Sequence, residues 1–157
     1  MNKILNLGQA VRVSQDIRKK NRKIVLAGGV FDILHVGHIK FLKNAKKAGD
    51  VLFILLENDI NVSKSKGKNR PINNQQDRAE ILSELSCIDY VVALPEMKND
   101  NRYDILISQL KPDIIATTKP DPKLKHKLRQ VKLVGAELKY VIKKIRDKST
   151  TRLLKLI

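Results

Sequence analysis

From residue 24 onward, short apolar runs alternate with segments whose apolar residues recur every three or four positions. This alternation is typical of βα units, which lay parallel strands in one sheet and cover its faces with helices. The apolar runs predict five strands, at residues 24–27, 51–56, 90–94, 113–116 and 138–142. We therefore expect the α/β class, with a doubly wound, parallel, five-stranded sheet.

Helical spacing between and after these runs predicts the connecting helices. They are expected around residues 39–45, 81–85, 99–110 and 121–128, with a last short helix from Ser149. Asp121 followed by Pro122 is expected to cap the fourth of them. Residues 1–23 predict an added N-terminal helix with a basic lead-in, and residues 24–157 predict one domain.

Composition limits the classes of function. Cys87 is the only cysteine, which excludes an intrachain disulfide framework or a cysteine-rich zinc site and favours the cytoplasm. No unbroken apolar stretch is long enough for a secretory signal or a membrane span, so no membrane partner is expected. The net charge of +16 attracts polyanions, a class that includes nucleotides and nucleic acid.

The segment 28–38 leaves the first predicted strand and enters the first predicted helix. Ligands bind at such points of α/β sheets, where glycines admit a close backbone approach and a helix N-terminus binds anions. His35 and His38 are spaced to share one helix face, and both imidazoles can donate hydrogen bonds to phosphate. A His-x-x-His zinc site is disfavoured because no third ligand follows at helical spacing, and P-loop and dinucleotide fingerprints are lacking.

The residues 29–38, Gly-Val-Phe-Asp-Ile-Leu-His-Val-Gly-His, resemble the signature of the cytidylyltransferase-like nucleotidyltransferases. The resemblance extends in order over residues 24–157 and is strongest to heptose-1-phosphate adenylyltransferases and glycerol-3-phosphate cytidylyltransferases. It implies the Rossmann-like HxGH nucleotidyltransferase fold and an enzyme that joins a nucleoside monophosphate to a small phosphorylated substrate. Pyrophosphate would be the leaving group.

The resemblance also assigns site residues. It implies that His35, His38 and Lys66 are catalytic, with Lys64 and Lys66 on a mobile lysine loop. It implies that the remaining residues bind the nucleotide: Gly29, Val30, Phe31, Asp32, Gly37, Lys64, Arg78, Arg146, Ser149, Thr150 and Thr151. From the residues alone, Ser149 could equally be a helix cap, and Arg78 could form an ion pair on the surface of its helix.

No protein-bound metal is expected; Mg²⁺ should arrive through the triphosphate of ATP or CTP. Adenylyl transfer to a sugar phosphate such as heptose 1-phosphate is the leading expectation, because the segment 66–72 and the N-terminal helix look more like the heptose branch. Cytidylyl transfer to glycerol 3-phosphate or an amino-alcohol phosphate is the alternative, and flavin-forming adenylyl transfer is a third option. Residues 116–121 lack the family's glycine-containing, acidic turn and carry Lys119 instead, which leaves the base preference open.

A non-catalytic nucleotide or RNA binder is the alternative from another class. The chain has only six Phe or Tyr residues and no Trp, too few exposed candidates for a base-stacking surface, so no specific nucleic-acid partner is expected. The resemblance also allows a homodimer.

Overall fold

A computed structural model describes residues 2–146 and 148–157 as a six-stranded parallel sheet between two layers of helices. The spatial order of the strands is β1-β4-β3-β2-β5-β6. Their bounds are β1 Ile4–Leu5, β2 Ile24–Gly29, β3 Val51–Leu56, β4 Tyr90–Ala93, β5 Ile114–Lys119 and β6 Glu137–Lys143. The doubly wound α/β fold is confirmed. The predicted number of five strands was wrong by one, because β1 adds a short edge strand beside β4.

Seven helices connect and flank these strands within the described part of the chain. They are α1 Leu7–Lys19, α2 Val36–Lys47, α3 Asp59–Lys66, α4 Gln75–Ser83, α5 Asp100–Leu110, α6 Leu124–Val134 and α7 Thr150–Leu154. Helices α1, α5 and α6 pack on one face of the sheet, and α2 and α4 pack on the other. None of these helices is both long enough and apolar enough to cross a bilayer.

The central strand β3 explains why the sheet needs helices on both faces. All six of its residues are buried. Val51, Phe53 and Leu55 join the core under α1 and α5, while the alternate residues between them join the core under α2 and α4. A strand with two apolar faces is stable only when both are covered, because side chains alternate across a sheet.

Two helix predictions differ from the structure. Asp121 does not cap α6: the helix begins at Leu124, and the Asp121 carboxylate instead accepts from the Lys123 N–H and from two side chains. The predicted lysine loop is helical, since Lys64 and Lys66 lie in the last turn of α3.

The strand order places β2 between β3 and β5, so the chain crosses back over the sheet between β4 and β5. The two connections that leave this point run in opposite directions and open a crevice at the carboxyl ends of the strands. Such a switch point is where open α/β sheets bind ligands. The turn after β2 lies at this crevice.

Candidate functional site

The turn after β2 is shaped by a close contact between Gly29 and Phe31. A Cβ atom on Gly29 would lie only 2.8 Å from Cε2 of the Phe31 ring, so any larger residue would displace that ring. Phe31 itself has φ 48° and is buried. Glycine at position 29 is therefore needed for the Phe31 ring to pack on the turn. The phosphate contact expected of this segment stays a prediction.

His35 and His38 lie together at the N-terminus of α2, where His35 is the capping residue. Their rings stack with centroids 3.9 Å apart. His35 Nδ1 accepts from the Gly37 N–H at 3.1 Å, and His38 Nδ1 accepts from the His35 N–H at 3.4 Å. Because each Nδ1 is an acceptor, the proton of each neutral ring resides on Nε2. The pair thus offers two Nε2–H donors at an anion-favouring helix end.

Both imidazoles are electrically neutral at physiological pH in the free protein. Burial lowers the pKa of His38 to about 4, with a smaller contribution from His35 beside it. Burial also lowers the pKa of His35, assisted by the positive charge of Lys148. The histidines are therefore hydrogen-bond donors rather than cations, and the positive charge of the site must come from lysine and arginine.

The Asp32 carboxylate is fully enclosed and binds the loop that follows α3. It accepts from Arg70 Nε at 2.8 Å, from the Ile72 N–H at 2.8 Å and from the Asn73 N–H at 2.9 Å. The Asp32 side chain is 0% exposed and that of Arg70 only 10%. The Asp32 carboxylate points into the protein, where it fixes the turn against the loop 70–73. The nucleotide contact expected of Asp32 stays a prediction.

Arg78 has a similar internal position. Its side chain is 0% exposed, and it donates to the carbonyl oxygens of Asn73, Val30 and Glu57 at 2.9, 2.6 and 2.9 Å. It also forms an ion pair with Asp59 at 2.7 Å. The alternative of an ion pair on the helix surface was wrong, because the Arg78 side chain is enclosed. The nucleotide contact expected of Arg78 stays a prediction. From inside the protein, Arg78 thus connects three loops at the carboxyl edge of the sheet, around residues 30, 57–59 and 73.

The two candidate lysines project from α3 beside this edge. Lys64 Nζ lies 2.9 Å from Glu96 Oε1, and its side chain is 64% exposed. Lys66, the last residue of α3, is also exposed. An exposed ion pair contributes little free energy, so Lys64 can exchange Glu96 for a ligand phosphate at small cost.

The last helix closes the other side of the histidine pair. Thr150 is buried, and its hydroxyl donates to the Ile33 carbonyl at 2.8 Å. Ser149 Oγ accepts from the Arg152 N–H at 3.1 Å, which is the capping role considered from the sequence. Thr151 Oγ1 accepts from Arg70 Nη1 at 3.5 Å and lies at the surface. Of the three residues, only Thr151 is exposed.

An open cleft of about 450 Å³ lies next to the start of α7. Its lining is strongly basic and comprises Pro120, Lys144, Ile145, Arg146, Lys148, Ser149 and Arg152. A pocket with four cationic side chains favours a polyanion. Arg146, a predicted nucleotide ligand, belongs to this cleft.

The carboxyl end of β5 carries a polar cluster that the sequence did not reveal. Asp121 Oδ2 accepts from Thr117 Oγ1 and from Lys127 Nζ, each at 2.6 Å. Burial alone would raise the pKa of Asp121, but the hydrogen bonds from Lys127 and Thr117 outweigh it and the pKa is lowered. Lys127 and Asp121 lie six residues apart, and only the turn between them, not a helical spacing, brings them together.

A protein-held metal finds no ready ligands near the histidines in the described part of the chain. Asp32 is saturated by its own donors. Within residues 2–146 and 148–157, no group of three or more His, Cys, Asp or Glu side chains is arranged to hold a metal ion.

Curated relatives match most of this chain but only part of their own length. The "Bifunctional protein HldE" of a Nitratiruptor species is 47% identical over 103 residues, which are 66% of this chain and 21% of the relative. That of Wolinella succinogenes is 42% identical over 113 residues, 72% of this chain and 23% of the relative. The chain thus spans between a fifth and a quarter of these relatives.

Two solved structures share the fold. The lipopolysaccharide core biosynthesis protein from Thermoplasma volcanium GSS1 has a TM-score of 0.62 and 30% identity, over 79% of this chain and 97% of that one. The pantoate-beta-alanine ligase from Francisella tularensis has a TM-score of 0.64, over 93% of this chain and 69% of that one. Its identity of 16% shows likeness of fold alone.

The family model described as "Cytidylyltransferase-like" matches residues 26–155, which include the turn after β2, both lysines of α3 and all of α7. The resemblance drawn from residues 29–38 is thereby confirmed. This chain belongs to the cytidylyltransferase-like family.

Proposed function

We propose that this chain is a nucleotidyltransferase that transfers the adenylyl group of ATP to a sugar phosphate such as heptose 1-phosphate. The observation that carries the proposal is the stacked pair His35 and His38, with two Nε2–H donors at the N-terminus of α2. Membership of the cytidylyltransferase-like family supports the reaction class. Likeness to the HldE proteins and to a lipopolysaccharide core biosynthesis protein supports the sugar phosphate.

The reaction requires no nucleophile from the protein. An oxygen of the acceptor phosphate attacks the α-phosphorus of ATP, a new P–O bond forms, and the bond from the α-phosphorus to the bridging oxygen breaks to release pyrophosphate. The enzyme aligns two anions and neutralises the charge that grows on the oxygens around the α-phosphorus. Magnesium carried by the triphosphate would neutralise part of the charge on the phosphate oxygens.

The chain's own residues divide this work by position. The neutral imidazoles of His35 and His38 donate hydrogen bonds to phosphate without requiring a proton from solvent. Lys64 and Lys66 approach from the β3 side, and Arg146, with the basic cleft beside α7, holds the triphosphate from the β6 side. Asp32 and Arg78 act as positioning residues, since their side chains are enclosed and hold the loops that form the edge.

The function is tested by incubating the protein with Mg²⁺, ATP or CTP, and heptose 1-phosphate, glycerol 3-phosphate or ethanolamine phosphate, and measuring pyrophosphate release. We expect turnover with ATP and heptose 1-phosphate. Preferred use of CTP with glycerol 3-phosphate would move the assignment to the cytidylyltransferase alternative. Turnover with none of these pairs would refute a nucleotidyltransferase of this kind.

The histidine variants H35A and H38A test the mechanism. Each removes one donor to the transition state, and we expect kcat to fall by about 100- to 1,000-fold. The matched control is H126A, because His126 lies on α6 and pairs with Asp100, away from the turn after β2. Equal loss in all three variants would show that the effect is not specific to the pair.

We also propose that the protein acts in the cytoplasm on these small substrates, without nucleic acid or a membrane as partner. A homodimer stays a prediction, tested by light scattering.

A further inference from the structure

Glu57 lies at the ligand edge of the sheet, directly after β3. Its N–H donates to the Gly29 carbonyl at 3.1 Å, and its own carbonyl accepts from Arg78. The backbone of Glu57 is therefore held beside the turn that leads to the histidine pair. Because β2 and β3 are in register up to Gly29 and Leu56, Glu57 is level with Val30.

The Glu57 side chain is hydrogen-bonded to the phenol of Tyr103 on α5. The Tyr103 hydroxyl lies 3.0 Å from Oε1 and 2.8 Å from Oε2. Burial, together with the negative charge of Glu57, raises the pKa of Tyr103, so the phenol stays protonated and donates. A single hydroxyl supplies a single proton, whereas a carboxylate accepts about four hydrogen bonds. Most of the accepting capacity of Glu57 is left over.

No cation in the described part of the chain balances this carboxylate. Among residues 2–146 and 148–157, no Lys, Arg or His nitrogen lies within 4.0 Å of the Glu57 oxygens. The side chain is nevertheless partly buried, in a chain with twice as many basic as acidic residues. Partial burial of an unpaired carboxylate is costly unless donors satisfy it.

The distribution of charge decides which donors fit. In the proposed reaction the histidine pair and the basic cleft bind the triphosphate on one side of β2, whereas Glu57, Lys64 and Lys66 all follow β3. The Glu57 carboxylate repels phosphate. A ligand group beside Glu57 must therefore be a hydrogen-bond donor.

We propose that Glu57, oriented by Tyr103, binds hydroxyl groups of the sugar in the acceptor and so selects a polyhydroxylated phosphate ester. This inference rests on the proposed function, because it concerns the acceptor of that reaction. Glu57 binds substrate, and Tyr103 is a positioning residue that fixes the carboxylate by one hydrogen bond.

The test compares E57Q, Y103F and the control E137Q with the wild type, using heptose 1-phosphate and ATP. E57Q keeps the size of the side chain and replaces one accepting oxygen by a donating amide. We expect the KM for heptose 1-phosphate to rise about tenfold or more, with the KM for ATP within about twofold of the wild type. Y103F should raise the same constant by a smaller factor. Glu137 is exposed at the start of β6, and E137Q should change neither constant.

A panel of monodeoxy analogues of heptose 1-phosphate locates the contact. The analogue that lacks the contacted hydroxyl should be used equally well by the wild type and by E57Q, while the other analogues keep the tenfold difference. Loss of the difference for one analogue alone would show a contact with the substrate, because a structural effect of E57Q would change the KM for all acceptors alike.

The possible failures are distinct. Active E57Q and Y103F with unchanged acceptor constants would overturn the inference and leave the proposed function standing. Wild-type preference for ethanolamine phosphate, lost in E57Q, would assign Glu57 to an ammonium group and also overturn it. Absence of turnover by the wild type with every nucleotide and acceptor would overturn the proposed function and, with it, the inference.

Discussion

The enclosed pair of Asp32 and Arg70 provides a quantitative test of how the turn after β2 is held. The variant D32N keeps the shape of the side chain but removes its charge and presents an NH₂ group to one of three donors. Arg70, 10% exposed, is then left without its counter-charge. Breaking a buried ion pair in this way costs about 3–5 kcal/mol of unfolding free energy.

The matched control is D104N on α5. Asp104 also pairs with an arginine, but Arg129 is 44% exposed, so the loss should be at most about 1 kcal/mol. Urea unfolding at pH 7, followed by far-ultraviolet circular dichroism, gives the unfolding free energy of both variants. The dependence of that free energy on urea concentration should be the same for the two. A loss for D32N that lies within about 1 kcal/mol of that for D104N would refute the positioning role of Asp32.

The same pair has a defined pH dependence. Burial alone would raise the pKa of Asp32, but the N–H groups of Asn73 and Ile72 and the Arg70 guanidinium together lower it. Because the folded pKa is lower than the unfolded value of about 3.9, the stabilisation is present above that value and is lost as pH falls through the folded pKa. The difference in unfolding free energy between D32N and the wild type should therefore become smaller below about pH 4.

Two further predictions concern the histidine turn. Nuclear magnetic resonance of the His38 ring should give a pKa about 4 in the free protein, rising by about one unit or more with bound Mg-ATP; titration near 6.5 in the free protein would contradict the burial argument. A Cβ on Gly37 would lie 2.8 Å from the His35 ring, so G37A should lower kcat/KM by roughly 10- to 100-fold. G8A, whose nearest contact is 3.6 Å away, should not lower it; equal rates for the two variants would exclude the steric explanation.

Sequence patterns predicted the main strands because buried parallel strands are continuous apolar runs, and β3 was predicted at its observed bounds. The two residues of β1 are too few to show a period, so that strand could not be predicted. Helix α3 was missed because it buries only Val62 and lacks an apolar stripe, although Asn58 is a capping residue that could have indicated it.

The sequence indicated that His35 and His38 lie together at one helix end, but it did not indicate the tertiary contacts around them. Residues 29–38 form a motif that can be recognised from the sequence alone. No motif indicates the internal contacts of Asp32 and Arg78, because their partners come from separate loops around residues 30, 57 and 70–73. Charged side chains are expected at the surface, and only the fold shows that these two are enclosed. The contact of Glu57 with Tyr103 spans 46 residues and is equally invisible in sequence.

The hydrogen bond from Thr150 to Ile33 joins positions 117 residues apart. A ribosome synthesises the turn after β2 before α7, so this bond closes only after the segment from Ile33 to Thr150 has emerged. The histidines on α2 are synthesised first, and α7, which packs beside them, follows. Contacts of such long range form slowly, because a large loop must close first. Nucleotide binding that requires α7 would therefore show that α7 has packed against the turn after β2, and not merely that the sheet has formed.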